Sequence, residues 1–151
     1  MTTNEKRHFH CQACHRINRI PRERVESKPR CGGCHEALDV SGAPIKVTDD
    51  ELRRIVRSSP VPVLVDFYAD WCGPCRALGP TLDSLGRELA GQLLVVKVDT
   101  ERDQGIAGEL RIQSIPAVVL YKRGHVAARE QGAHPLAHWR SWVSPHLGDG
   151  A

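Results

Sequence analysis

The stretch Val61-Pro62-Val63-Leu64-Val65-Asp66-Phe67-Tyr68-Ala69-Asp70-Trp71-Cys72-Gly73-Pro74-Cys75 decides the fold. Its first part, Val61–Tyr68, has almost no polar alternation. That pattern fits a strand buried on both faces, in a sheet covered by helices. Its second part places two thiols three positions apart where strand gives way to helix, because Leu78, Leu82, Leu85 and Leu89 then recur at helical spacing. A helix N-terminus carries unpaired N–H groups and a partial positive charge, which favour thiolate over thiol. The thiolate is the nucleophile of disulfide exchange, so the chemistry is expected here. Pro74 suits a helix start, where its missing N–H removes nothing. Pro80 falls inside the helix and is expected to kink it.

Outward from this stretch the elements alternate. Ile45-Lys46-Val47 reads as a short strand, and Thr48 with Glu51 forms a capping box that opens a helix with Leu52, Ile55 and Val56 on one face. Leu93–Val98 is a second apolar strand and Gln104–Leu110 a short helix. Ala117–Tyr121 and Val126–Gln131 make a hairpin across Lys122-Arg123-Gly124-His125. A last helix runs from Pro135, with Leu136, Trp139, Val143 and Leu147 along one stripe. The order is βαβαβαββα. Periodicity alone establishes an α/β chain with a mixed sheet.

Trp71-Cys72-Gly73-Pro74-Cys75, Asp66 six residues earlier and the Ser114-Ile115-Pro116 turn together resemble the thioredoxin family. The resemblance runs from about Ile45 to Leu147, and the Cys-rich segment before it resembles the zinc-ribbon-containing thioredoxin 2 type of bacteria. It implies a thioredoxin fold, a central mixed sheet flanked by helices, with a small zinc-ribbon module in front. It also implies roles. Cys72 becomes the exposed nucleophile that forms a mixed disulfide, Cys75 resolves it, and the two form the redox-active disulfide. Asp66, a carboxyl in an apolar strand, has its pKa raised by burial; the resemblance makes it the proton acceptor for Cys75 and Lys97 its buried partner. The alternative for Asp66 is an edge strand facing solvent.

By the same resemblance Pro116 forms a cis bond beside the disulfide, and the preceding backbone pairs with an extended substrate by strand addition. An ordinary trans proline at a strand start is the alternative. Trp71, Gly73, Pro74, Ile115, Gly132 and Ala133 match the flat apolar docking patch around the thiols. Two positions depart from the family pattern: Tyr68 where tryptophan is common, and Ser114 where glycine is common.

The other four cysteines form a second system. Cys11-x-x-Cys14 and Cys31-x-x-Cys34 are separated by sixteen residues, the spacing of a four-cysteine zinc site. Gly32-Gly33 lets the second knuckle turn tightly. The segment has few large apolar side chains, so metal binding is expected to supply missing stability. His15 and His35 complete two Cys-x-x-Cys-His runs, the c-type haem attachment sequence. Haem is the weaker reading, because Met1 is the only methionine and no export segment is visible. Iron–sulfur ligation and labile disulfides are the remaining alternatives.

Composition bounds the rest. The 151 residues are 40% hydrophobic and 26% charged, ordinary for a globular protein. The formal charge of +3 lies in the first forty residues, which hold eight Lys/Arg against five Asp/Glu. So small an excess argues against nucleic acid as a partner. No apolar run is long enough for a membrane helix, and the N-terminal residues lack a signal-peptide pattern, so a cytoplasmic protein is expected. The expected division is a zinc ribbon over 1–40, a linker over 41–44, a thioredoxin domain over 45–148 and a frayed tail over 149–151. The expected function is a monomeric protein-disulfide reductase holding one structural zinc and no bound organic cofactor. It acts on disulfide-containing proteins and is recycled by an NADPH-dependent flavoprotein thioredoxin reductase. The rival is a zinc-ribbon binding protein or redox-switched, chaperone-like module on a thioredoxin scaffold.

Overall fold

Alternation of buried side chains builds the central layer. In the computed structural model, which describes residues 6–148, Val63–Tyr68 (β4) is buried at every position. It sits in the middle of a five-stranded sheet. Ile45–Lys46 (β3) and Leu94–Asp99 (β5) run parallel to it; Ala117–Lys122 (β6) pairs antiparallel with β4, and His125–Gln131 (β7) antiparallel with β6, completing the order β3-β5-β4-β6-β7. β4 begins two residues later than its apolar run, because Pro62 has no N–H to give a ladder. Arg123 and Gly124, both at positive φ, make the two-residue hairpin turn.

Successive β4 residues face opposite sides, and each side meets different helices. Val63, Val65 and Phe67 pack with Leu52 and Ile55 of Asp49–Ser58 (α1) and Ile106 of Gly105–Glu109 (α3). Leu64 packs with Leu78, Leu82 and Leu85 of Gly73–Glu88 (α2) and Trp139 and Val143 of Leu136–Val143 (α4). Asp66 therefore points to the α2 side. α1 opens with the expected capping box: Thr48 Oγ1 accepts from Glu51 N, and Glu51 Oε1 accepts from Thr48 N. α2 is one helix through Pro80. α4 stops at Val143, earlier than the leucine stripe implies. A 3₁₀ turn over Ser144–His146, with Pro145 lacking a helical donor, replaces its last turn.

The N-terminal segment contains a hairpin that hydrophobic patterning does not show, Lys6–His10 (β1) against Ile17–Pro21 (β2), then a 3₁₀ turn over Arg22–Ser27. It is docked on the larger sheet's flank. His8 N donates to Gly91 O at 2.9 Å. The segment read as a linker is also held: Gly42 sits at φ +84 against the Gly86 carbonyl, leaving no room for a Cβ. The expected tail at 149–151 lies outside the described residues.

Candidate redox site and metal centre

The end of β4 and the start of α2 bring the sulfurs of Cys72 and Cys75 together as a disulfide, with Cα atoms 5.2 Å apart. Cys72 is the N-cap of α2. Its Sγ accepts the Cys75 backbone N–H at 3.2 Å, so the sulfur occupies the place where a helix best stabilises negative charge. Cys72 is not the exposed member of the pair. The two residues are 4% and 5% exposed, because Tyr68, Ala69 and Ile115 pack around both. What is exposed is Trp71, at 68%, its Nε1 donating to Glu101 Oε2 at 3.2 Å.

The other predicted docking residues gather at this end of the sheet. Gly73 and Pro74 are exposed beside the disulfide. Cys72 Sγ lies 3.8 Å from the Ile115 carbonyl oxygen, and the Ile115–Pro116 bond is cis. Gly132 N donates to Pro116 O at 3.1 Å, which ties the Gly132-Ala133 loop to the same place; Ala133 itself is exposed.

Asp66 is 1% exposed on a central strand, not at an edge. Its Oδ1 has no hydrogen-bond partner among the described residues. Burial drives its pKa up to about 6 even though Lys97 pulls the other way. Lys97 is its register partner on β5, with Nζ 4.5 Å from the centre of the Tyr68 ring. A cleft of about 740 Å³ opens beside these groups, lined by Cys75, Tyr68, Lys97, Lys46 and Asp83 among others. It gives solvent a route to the Cys75 side of the disulfide.

The remaining cysteines converge in the N-terminal segment, all four sulfurs within 4.8 Å of one another. Cys11 and Cys34 sulfurs are 3.7 Å apart, and Cys14 and Cys31 sulfurs 3.5 Å. Four thiolates about 2.3 Å from one ion stand about 3.8 Å apart at tetrahedron corners, so the spacing suits a shared ion. The two knuckles repeat the same backbone. Cys11 N donates to Arg16 O and His15 N to Cys11 O, while Cys31 N donates to Glu36 O and His35 N to Cys31 O. His15 and His35 both sit at φ +67, the left-handed position that ends each knuckle.

Amides supply the outer support. Ala13 N donates to Cys11 Sγ, Gly33 N to Cys31 Sγ, and Asn18 Nδ2 to Cys31 Sγ. The Cys34 backbone amide, against burial and helped by Gly33 and Asn18, holds the Cys31 thiol down to about 5. The Glu36 amide lowers Cys34, but burial and the neighbouring sulfurs of Cys11, Cys14 and Cys31 outweigh it and push Cys34 up to about 12. Sequence reasoning missed Asn18, for which the chain carries no local signal. It also missed the link from the knuckle to α1, in which His15 Nε2 meets Glu51 Oε2 at 2.8 Å and His15 Nδ1 meets His10 Nε2 at 2.9 Å.

Comparison with known proteins matches this geometry. A family model described as Thioredoxin matches residues 43–145, and one described as Thioredoxin 2, N-terminal, matches residues 10–36. The chain is 31% identical over 137 residues to Thioredoxin C-3 of Corynebacterium nephridii, covering 91% of this chain and 93% of that one. It is 34% identical over 103 residues to the thioredoxin of Haemophilus influenzae, covering 68% of this chain and 96% of that protein. The solved structure of a mutant thioredoxin from Halobacterium salinarum superposes with a TM-score of 0.66 at 26% identity, covering 73% of this chain and 96% of that one. Among the described residues no helix is long and apolar enough to cross a membrane. The chain belongs to the thioredoxin family, carries the N-terminal ribbon of the thioredoxin 2 type, and is a thiol–disulfide oxidoreductase.

Proposed function

We propose that the protein reduces disulfides in other proteins by a two-cysteine exchange. The observation that carries this reading is the position of the Cys72 sulfur, at the N-cap of α2 and accepting an amide, with the exposed Trp71 beside it. The Cys72 thiolate attacks one sulfur of a substrate disulfide and expels the other as a thiolate. Cys75 then attacks the Cys72 sulfur, expels the second substrate thiolate and closes the Cys72–Cys75 disulfide. The substrate gains two electrons and the protein loses two.

Cys75 must shed its proton to act. Asp66, on the same face as α2 and with a pKa near 6, accepts it through solvent, and Lys97 steadies the resulting carboxylate. Trp71, Gly73, Pro74, Ile115, Pro116, Gly132 and Ala133 form the substrate platform, on which an extended segment pairs with backbone at Ile115. An NADPH-dependent flavoprotein reductase returns the pair to dithiol. The ribbon holds one zinc ion on Cys11, Cys14, Cys31 and Cys34. Four thiolates leave no open position, so the ion is structural. The thioredoxin unit from about residue 45 carries the catalysis and residues 1–40 carry the metal. Four free thiols beside one exchangeable pair fit a reducing compartment, and we place the protein in the cytoplasm as a monomer.

Insulin turbidity with dithiothreitol tests the reading. The wild-type chain accelerates precipitation, Cys72→Ser does not, and Cys75→Ser accumulates mixed disulfides through Cys72. Exchange of these two behaviours overturns the roles, and a wild-type chain without activity supports the scaffold alternative.

A further inference from the structure

A second cluster of metal-ligating side chains lies well away from the ribbon. Glu130 near the end of β7, His134 in the loop after it and His138 in the first turn of α4 bring one ligand atom each within 4.8 Å of the others. Glu130 Oε2 stands 3.3 Å from His134 Nε2 and 3.6 Å from His138 Nε2. These separations are long for charge-assisted hydrogen bonds, which run at about 2.7–2.9 Å. The edges of a tetrahedron whose corners lie about 2.0–2.1 Å from one ion are about 3.3–3.4 Å; the first separation equals such an edge and the second exceeds it by about 0.2 Å. His138 Nε2 is closed off from solvent and has no hydrogen-bond partner. A buried ring nitrogen left unpaired beside a carboxylate oxygen is costly unless something between them accepts its lone pair.

We propose that Glu130, His134 and His138 form a second metal site, selective for divalent transition ions of the zinc and copper class, with a fourth position open to water. Two imidazoles and one carboxylate are the donor set such ions favour. The two rings stack with centroids 4.1 Å apart, and both Nε2 atoms lie beside Glu130 Oε2. One bond must be given up. His134 Nε2 donates to Gln131 O at 2.7 Å, so binding moves that ring proton to Nδ1 and frees Nε2 for the ion. The ion would clamp the β7–α4 loop, which carries Gly132 and Ala133. It would also brace α4, whose N-cap Pro135 supplies no side-chain cap.

The test is the zinc content of full-length protein equilibrated with low-micromolar free Zn²⁺, compared with Glu130→Gln, His138→Ala and the control His125→Ala. The difference between chains is the readout, so the result stands whatever the ribbon holds. Wild type and His125→Ala should carry one equivalent more than Glu130→Gln and His138→Ala. In the intact wild type, Zn²⁺ should shift the ring nitrogen resonances of His134 and His138 together, a readout that needs no variant to fold. Equal zinc content in all four chains, or ring shifts confined to other histidines, overturns the site.

Discussion

The ribbon and the redox site use one cysteine spacing to opposite effect. In each knuckle the amide two residues after the first cysteine donates to its sulfur: Ala13 N to Cys11 at 3.4 Å, Gly33 N to Cys31 at 3.3 Å. A left-handed histidine then turns the chain back on itself. At the redox site the residue two positions on is Pro74, which has no N–H, and the donor is Cys75 one residue later. The chain goes on as a helix and never turns back. The backbone path after the second cysteine is thus where the two uses of the spacing part: back on itself in each knuckle, onward as a helix at the redox site.

The comparison breaks most sharply at its cysteines. Cys11→Ser should lose the ribbon's ion and unfold the segment, whose buried hydrophobic cluster among the described residues is Phe9, Leu38 and two cysteines. Insulin reduction should stay within about twofold, since among the described residues none of the proposed catalytic groups belongs to that cluster. Cys72→Ser should keep the metal and fall to background activity. A chain of residues 41–151 should reduce insulin without the ribbon's ion, although it forfeits the His8–Gly91 bond. Elemental analysis beside the insulin assay checks all three. A Cys11→Ser protein that binds as many metal equivalents as wild type, or loses reduction while its α/β core stays folded, would join what the comparison separates.

Asp66 sharpens it next. The folded chain holds the Asp66 proton up to about pH 6, against an ordinary value of 3.8. The unfolded chain therefore loses that proton first. Below about pH 4 the carboxyl costs nothing; stability is lost as pH rises from about 4 to about 6, then levels. A titration displaced that far corresponds to about 3 kcal/mol, an upper bound. Asp66→Asn should thus be more stable than wild type by about 2–3 kcal/mol at pH 7.5 and nearly equal to it at pH 4, read by urea melts. It should also slow release of substrate from the mixed disulfide near neutral pH. Equal stability at both pH values would mean that burial does not set this group's titration.

The thioredoxin half was legible because its signals are local. The unbroken apolar run of β4, the Thr48–Glu51 box and the leucine spacing of α2 each report one element's environment, and the structure has each in place. The ribbon was legible only through its cysteines. Lys6-Arg7-His8-Phe9-His10 has no alternation to mark a strand, because that hairpin is held by its ladder and by the knuckle. Tertiary facts were beyond any local pattern: that Cys72 is as buried as Cys75, that Asp66 faces α2 with an orphaned oxygen, and that His15 reaches Glu51. Glu130, His134 and His138 follow one another at intervals of four, but the spacing spans a strand end, a loop and a helix start, so no single periodicity marks it.

The seam between the halves offers a smaller test. Glu51 serves both, accepting Thr48 N with one oxygen and meeting His15 with the other. Glu51→Ala should cost about 1–2 kcal/mol, a capping box together with a partly buried contact to His15. A double-mutant cycle with His15→Ala should return about 0.5–1 kcal/mol of coupling. No coupling would mean that ribbon and core touch at this point without holding one another.

The smallest effect probes the amide that the redox site lacks. Pro74 is the second helical residue, and an N-cap side chain can accept from the second or third amide of its helix. Pro74→Ala would restore a donor aimed at Cys72, as the knuckles have. That donor strengthens when the sulfur becomes a thiolate, so it favours the dithiol form over the disulfide. Alanine also loosens the unfolded chain, but that cost falls on both redox states and cancels. A gain of about 1 kcal/mol for the reduced form raises the Cys72–Cys75 potential by about 20 mV. Equilibration of wild type and variant in glutathione or dithiothreitol redox buffers measures the difference directly. A potential that stays put or falls would show that Pro74 shapes this site by its ring and not by its missing hydrogen.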